Sequence, residues 1–231
     1  MPEPIVFLPG MMCDARLFTA QIDALSAQHA IMVAPLNYGS TVSSMAQQIL
    51  ANTPPSFALA GLSMGGIVAM EIVRQAPQRV SRLALLDTNP LAETPERQAL
   101  RGPQIAKAQR GELRAIMRDE MKPSYLTDGP HTGAILDLCM AMAEKLGASV
   151  FCQQSQALRD RPDQCKTLQQ YTGPTLILCG EDDKLCPVER HTMMKELVSD
   201  SQLEIIKNAG HLPVLEQPDQ TNEKLINWLR W

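Results

Sequence analysis

Residues 57–70 read FALAGLSMGGIVAM. One apolar run, Phe57–Ala60, enters a turn of three glycines around a serine, and a second, Ile67–Met70, leaves it. The core of the stretch, Gly61-Leu62-Ser63-Met64-Gly65, fits G-x-S-x-G, in which a sharp strand-to-helix turn lifts a serine hydroxyl off the end of a sheet. The positions two before and two after the serine must be small, because a side chain there would clash. By composition alone the pattern arises in roughly one chain in ten of this length. It carries meaning only where a buried strand precedes it and a helix follows, and both are predicted here. Ser63 is therefore the candidate nucleophile.

Other apolar runs share the character of Phe57–Ala60: Ile5–Leu8, Ala30–Ala34, Leu83–Leu86, Thr175–Cys179 and, more weakly, Leu203–Ile206. None alternates strictly, and each ends in turn chemistry. Continuous apolar runs of this length suit strands buried on both faces, as in a parallel sheet. Helix-like segments separate them. They are Leu17–Ala27, Ser43–Ala51 with Ser43 or Ser44 as N-cap, Met64–Gln75 stopped by Pro77, Val188–Val198, and Pro218–Leu229 with Pro218 in its first turn. The expectation is an α/β fold: a mostly parallel sheet of about six strands with helices on both faces.

Between Leu91 and Gly173 no strand is predicted. The segment reads instead as helices over Pro95–Arg110, Glu112–Met121 and Thr132–Leu158, the last interrupted by Gly147. It is too long for a simple crossover, so residues 91–173 are expected to form an inserted helical subdomain. Residues 1–90 and 174–231 are then the core.

The chain has 231 residues, 45% of them hydrophobic and 20% charged, with a formal net charge of −4. That is an ordinary soluble globular composition. No basic cluster supports nucleic-acid binding, no apolar run is long enough to span a membrane, and no export signal is predicted. The six cysteines fit no zinc spacing, and reduced thiols in a cytoplasm are expected.

Ligands of open parallel sheets bind beyond the carboxyl ends of the strands. The residues there include Ser63, Asp87, Asp182, Asp183 and His211. A serine hydroxyl needs a base that titrates near neutrality, and His211 in Ala209-Gly210-His211-Leu212 is placed to be one. His29 and His191 read as surface or capping residues, and His131 could at most line a pocket. A carboxylate should fix the imidazole, and Asp183, Asp182 and Asp87 are all candidates.

The order Ser, Asp, His, with G-L-S-M-G-G at the elbow, G-E-D-D-K-L-C-P around the acid and N-A-G-H-L-P-V-L-E-Q-P around the histidine, resembles the α/β-hydrolase superfamily. The resemblance covers nearly the whole chain. Aligned on the motif's glycine and proline, it selects Asp183, with Pro187, over Asp182. It implies that residues 91–173 form a cap, and that the backbone N–H groups of Met11 and Met64 form an oxyanion hole. It also shows two departures. Pro9-Gly10 stands where relatives carry His-Gly, which leaves open how the Met11 loop is held, and matching begins at once, so a sheet of about six strands is expected.

The implied chemistry is acyl transfer to water on Ser63, with no metal or organic cofactor needed and a small-molecule acyl ester as partner. Cys13 and Cys186 are expected to be non-catalytic. Met11, Met12 and Met64 could line a soft apolar pocket, with Met140 and Met142 adding to it. No arginine pair marks a phosphate or coenzyme-A site, so small or medium neutral esters are expected. Alternatives are C–C bond or lactone hydrolysis, acyl transfer to an alcohol, and non-catalytic binding of a small ligand.

Overall fold

In the computed structural model, which describes residues 2–231, the apolar runs become six parallel strands. These are β1 (Ile5–Leu8), β2 (Ile31–Val33), β3 (Phe57–Leu62), β4 (Val80–Leu86), β5 (Thr175–Gly180) and β6 (Ser201–Ile206). Their order across the sheet is β2-β1-β3-β4-β5-β6. Successive strand side chains point to opposite faces, and here both faces are covered. Val6, Leu8, Phe57, Leu59, Leu83, Leu85 and Ile177 join one apolar cluster. Their neighbours Ile5, Phe7, Ala58, Ala60, Ala84, Leu86, Leu176 and Leu178 join the other. This double burial explains the lack of alternation in the sequence. Each large apolar side chain so buried is worth about 1.5–3 kcal/mol.

The first cluster is closed by α2 (Val42–Asn52) and α3 (Met64–Gln75), and the second by α1 (Thr19–Leu25), as well as by helices late in the chain. Two local expectations change. The N-cap of α2 is Thr41, whose Oγ1 accepts the Ser44 N–H at 3.0 Å, so neither serine caps the helix. Strand β4 starts at Val80 rather than Leu83, since Val80 and Arg82 already pair with Phe57 and Ala58 of β3, and Arg82 is satisfied at the sheet's end by Glu3 (2.8 Å) and the Trp228 carbonyl (2.8 Å).

Between β4 and β5 the chain is helical: α4 (Pro95–Gln109), α5 (Leu113–Ile116) followed by a π-turn over Met117–Met121, α6 (Thr132–Arg159) and α7 (Cys165–Gln170). Gly147, at φ 81°, kinks α6. Apolar residues of this segment reach both clusters, Phe151 on one and Met142 on the other. After β5 come α8 (Val188–Leu197), then β6, a short α9 (Pro213–Glu216) and α10 (Pro218–Arg230), with Pro218 in its first turn as expected. Among the described residues no helix is long and apolar enough to cross a membrane.

Candidate active site

Ser63 occupies the turn between β3 and α3 at φ 55° and ψ −115°, a conformation rare for a residue with a side chain. Its surroundings hold it there. The Ser63 N–H donates to the Leu86 carbonyl at 2.9 Å, and its own carbonyl accepts from Gly66 N–H, Ile67 N–H and Thr88 Oγ1 at 3.0, 3.2 and 2.7 Å. A Cβ on Gly61 would collide with the Gly65 backbone, and one on Gly65 with the Leu8 carbonyl. Gly66 makes room for the Thr88 side chain, 2.6 Å from where its Cβ would lie.

Three sequence candidates meet. His211 Nε2 lies 2.9 Å from Ser63 Oγ, and His211 Nδ1 lies 2.8 Å from Asp183 Oδ2. The other oxygen of Asp183 accepts the N–H groups of Leu185 (2.8 Å) and Cys186 (3.0 Å). Burial works to raise the Asp183 carboxyl, but the imidazole and these two N–H groups outweigh it, and the net shift is downward. Asp182 is exposed and accepts from Thr127 Oγ1 at 3.0 Å instead. Asp87 is fully buried behind the site, where one oxygen accepts the Gly180 N–H at 2.9 Å. Burial and the neighbouring Asp183 push the Asp87 carboxyl well above its ordinary range.

Asp183, Cys186 and His211 bring ligand-type atoms within 4.8 Å of one another. As a metal centre the set is poor. Asp183 and His211 already bond each other, and burial with two nearby carboxylates pushes the Cys186 thiol up, disfavouring the thiolate a metal needs. The same inertness holds for Cys13, raised chiefly by burial.

The Met11 loop is held by a residue the sequence gave no reason to single out. Cys13 N–H closes a turn on the Gly10 carbonyl (3.1 Å), with Met12 at φ 57°. The Met12 N–H donates to Gln154 Oε1 at 2.8 Å, and Gln154 Nε2 donates to the Leu36 carbonyl at 2.8 Å. Gln154 belongs to α6 and is 1% exposed. This leaves the Met11 N–H without an acceptor among the described residues. The Met64 N–H, first in α3, has none within its helix.

Two further supports were missed. Glu216 accepts the N–H groups of Gly210 (2.9 Å), Leu212 (3.0 Å) and Thr127 (2.9 Å), bracketing His211, whose own N–H donates to the Tyr125 carbonyl at 2.7 Å. The signal was present: a Glu in a helix's first turn often reaches back to free N–H groups before it. His191 is no surface or capping residue. It is fully buried, and its Nε2 accepts the Thr88 N–H at 3.1 Å, behind the threonine that holds Ser63. Burial pulls its pKa down to about 4. His29 Nδ1 lies 2.9 Å from the Glu3 carbonyl, and His131 does not line the pocket.

Ser63 and His211 open onto a pocket of about 580 Å³, lined on its far side by residues 91–161. Its walls include Met11 and Met64, but not Met12, Met140 or Met142, which are buried elsewhere. They also include Arg101 and Arg161, an arginine pair invisible in a sequence that separates them by 60 positions.

A parallel sheet carrying a strained serine, histidine and aspartate at its strand ends defines a hydrolase architecture, and the comparisons agree. A model described as "Alpha/beta hydrolase family" matches residues 5–224, and the chain belongs to that family; it is an enzyme, a hydrolase. It is 26% identical over 199 residues to a pimeloyl-[acyl-carrier protein] methyl ester esterase of Nitrosospira multiformis, covering 80% of this chain and 73% of that protein. A thermophilic esterase of Thermogutta terrifontis, solved with malate bound, superposes with a TM-score of 0.89 at 26% identity, over 99% of this chain and 89% of that one. An enol-lactonase of Burkholderia xenovorans LB400 shares the fold, with a TM-score of 0.89 at 17% identity over 99% and 92% of the two chains.

Proposed function

We propose that the protein is a serine esterase that cleaves carboxylic esters through an acyl-enzyme on Ser63. One observation carries this reading: the unbroken hydrogen-bonded line from Ser63 Oγ through His211 to Asp183, at 2.9 and 2.8 Å. His211 takes the hydroxyl proton as Ser63 Oγ attacks the ester carbonyl. The oxyanion forms against the Met11 and Met64 N–H groups, each worth about 3–4 kcal/mol in such sites. His211 passes the proton to the departing alkoxide, then takes one from water, whose oxygen attacks the acyl-enzyme and returns Ser63. Asp183 stays ionised and holds the imidazole with Nδ1 protonated.

The pocket's volume suits a small or medium acyl ester, and the helices between β4 and β5 serve as its cap. All six cysteines are free, which supports a cytoplasmic location.

The test is burst kinetics with an activated short-chain ester, together with labelling by a fluorophosphonate. Labelling at Ser63, an initial burst and loss of both in Ser63→Ala are expected. Asp183→Asn should cost on the order of 10³–10⁴ in kcat, by the logic of a wrong imidazole tautomer, while Asp182→Asn retains near-normal turnover. Normal turnover by Ser63→Ala overturns the proposal.

A further inference from the structure

The charge of the pocket is unbalanced. Arg97, Arg101, Arg161, Lys184 and Arg190 line it, against Glu93 and Glu120. Glu120 is already engaged by Lys107 at 2.7 Å and Gln104 at 3.0 Å. Glu93 is shared. Arg101 Nη2 lies 2.9 Å from one of its oxygens and Arg161 Nη1 lies 3.1 Å from the other. The side chains of Arg101, Arg161 and Glu93 are 11%, 7% and 2% exposed. Two nearly buried guanidiniums therefore divide one carboxylate, and about one positive charge is left at the pocket wall.

That surplus sits beside the reacting centre. Arg101 Nη1 is 3.7 Å from Met11 Sδ, on the loop that presents the Met11 N–H. Arg161 is anchored from behind by its Nε bond to the Leu91 carbonyl at 2.9 Å. Tying the start of the β4–α4 connection to the end of α6 needs one arginine for Glu93, not two. Burying the second is costly unless an anion meets it. A neutral ester brings no such charge. A carboxylate does, in the planar geometry that guanidinium groups match.

Resting on the esterase reading above, we propose that the pocket takes an ester carrying a free carboxylate, a monoester of a dicarboxylic acid, with Arg101 and Arg161 as the carboxylate's subsite. Water adds to the ester carbonyl, the alkoxide leaves with a proton, and the products are a dicarboxylate, an alcohol and one proton to solvent. This departs from the neutral ester expected of the sequence.

The experiment compares kcat/KM for the monoethyl ester of adipic acid with that for ethyl hexanoate, similar in length but uncharged, in wild type, Arg101→Gln, Arg161→Gln and Arg101→Lys. The readout is the ratio of the two values within each protein. Wild type should favour the half-ester at least tenfold, the Gln variants should lose most of that preference, and Arg101→Lys should keep part of it. A second measurement needs no variant: adipate should inhibit ethyl hexanoate hydrolysis competitively at concentrations where adipamide does not. The subsite is overturned, with the esterase reading intact, if wild type turns over both esters through Ser63 without preference, if the preference survives in both Gln variants, or if adipate and adipamide inhibit alike. If neither ester is cleaved and fluorophosphonate leaves Ser63 unlabelled, the esterase reading falls, and the subsite with it.

Discussion

The Gln154 side chain, on α6, takes the Met12 N–H at 2.8 Å, joining residues 142 positions apart. It does what the histidine of relatives with His-Gly is not present to do here: it fixes the backbone next to Met11. Gln154→Leu strands two buried backbone groups, the Met12 N–H and the Leu36 carbonyl, at about 1–3 kcal/mol each. It should lower kcat by about tenfold to a hundredfold, short of losing an oxyanion donor outright, with a smaller change in KM. Gln154→Glu keeps the acceptor for Met12 and should lie between. Steady-state kinetics with one ester, beside thermal melts, checks both; an unchanged kcat in a destabilised Gln154→Leu would reduce the residue to packing.

This residue marks the boundary of what the sequence could tell. Strands buried on both faces leave a linear trace, and so do the turns that end them, which is why Ser63, Asp183 and His211 were legible one by one. The resemblance selects Asp183 over Asp182, and the structure brings Asp183 to His211 and leaves Asp87 behind the site. Gln154, Arg101 and Arg161 are ordinary residues in helical stretches or their flanks, and their partners lie far along the chain. His191 looked like a surface histidine because helix α8 has polar residues around it; only the fold shows that its ring points at Thr88. The sequence does not single out Thr41 as the cap, because two serines that could equally cap the helix follow it.

Asp87 makes stability depend on pH in an unusual direction for a carboxyl. Its folded pKa is raised, chiefly by burial and then by Asp183, above an ordinary value of 3.8. The native chain therefore keeps a proton that the unfolded chain gives up, and the group's contribution is fully present below about pH 4 and declines as pH rises toward the folded pKa. Asp87→Asn cannot ionise, yet its oxygen can still accept the Gly180 N–H. Its urea midpoint should exceed that of wild type at pH 8, and the gap should close near pH 4. A variant less stable than wild type at pH 8 shows that Asp87 is ionised in the native state.

His191 acts on the acid side. Its Nε2 accepts the Thr88 N–H, and its Nδ1 faces the Pro187 carbonyl at 3.3 Å, so the neutral ring with the proton on Nδ1 satisfies both. With a folded pKa of about 4 against an ordinary 6.5, the unfolded chain binds a proton between those values that the native chain refuses. Stability should fall as pH drops through that window, by about 3 kcal/mol from this group alone. Proton uptake on unfolding, measured by calorimetry in two buffers at pH 5.2, should be smaller by about one in His191→Gln. Equal uptake in the two proteins would mean that His191 is charged when folded.

Glu216 determines how well His211 is aimed. Its carboxylate receives Gly210 and Leu212 from the histidine's own loop and Thr127 from the segment before α6, and between them these bonds use both oxygens as acceptors. Burial raises the carboxyl and these N–H groups lower it, with burial prevailing. Glu216→Gln turns one oxygen into an amide donor, so either the Thr127 N–H or the Leu212 N–H must lose its acceptor, while the Gly210 N–H, which reaches both oxygens, keeps one. The imidazole then samples orientations away from Ser63 Oγ. The expected result is a fall of about tenfold in kcat with KM nearly unchanged, and slower fluorophosphonate labelling of Ser63 by a similar factor, since labelling depends on the same proton transfer. Glu216→Ala, which removes all three bonds, should fall further. If labelling keeps its wild-type rate while kcat drops, Glu216 acts on a later step than the attack of Ser63.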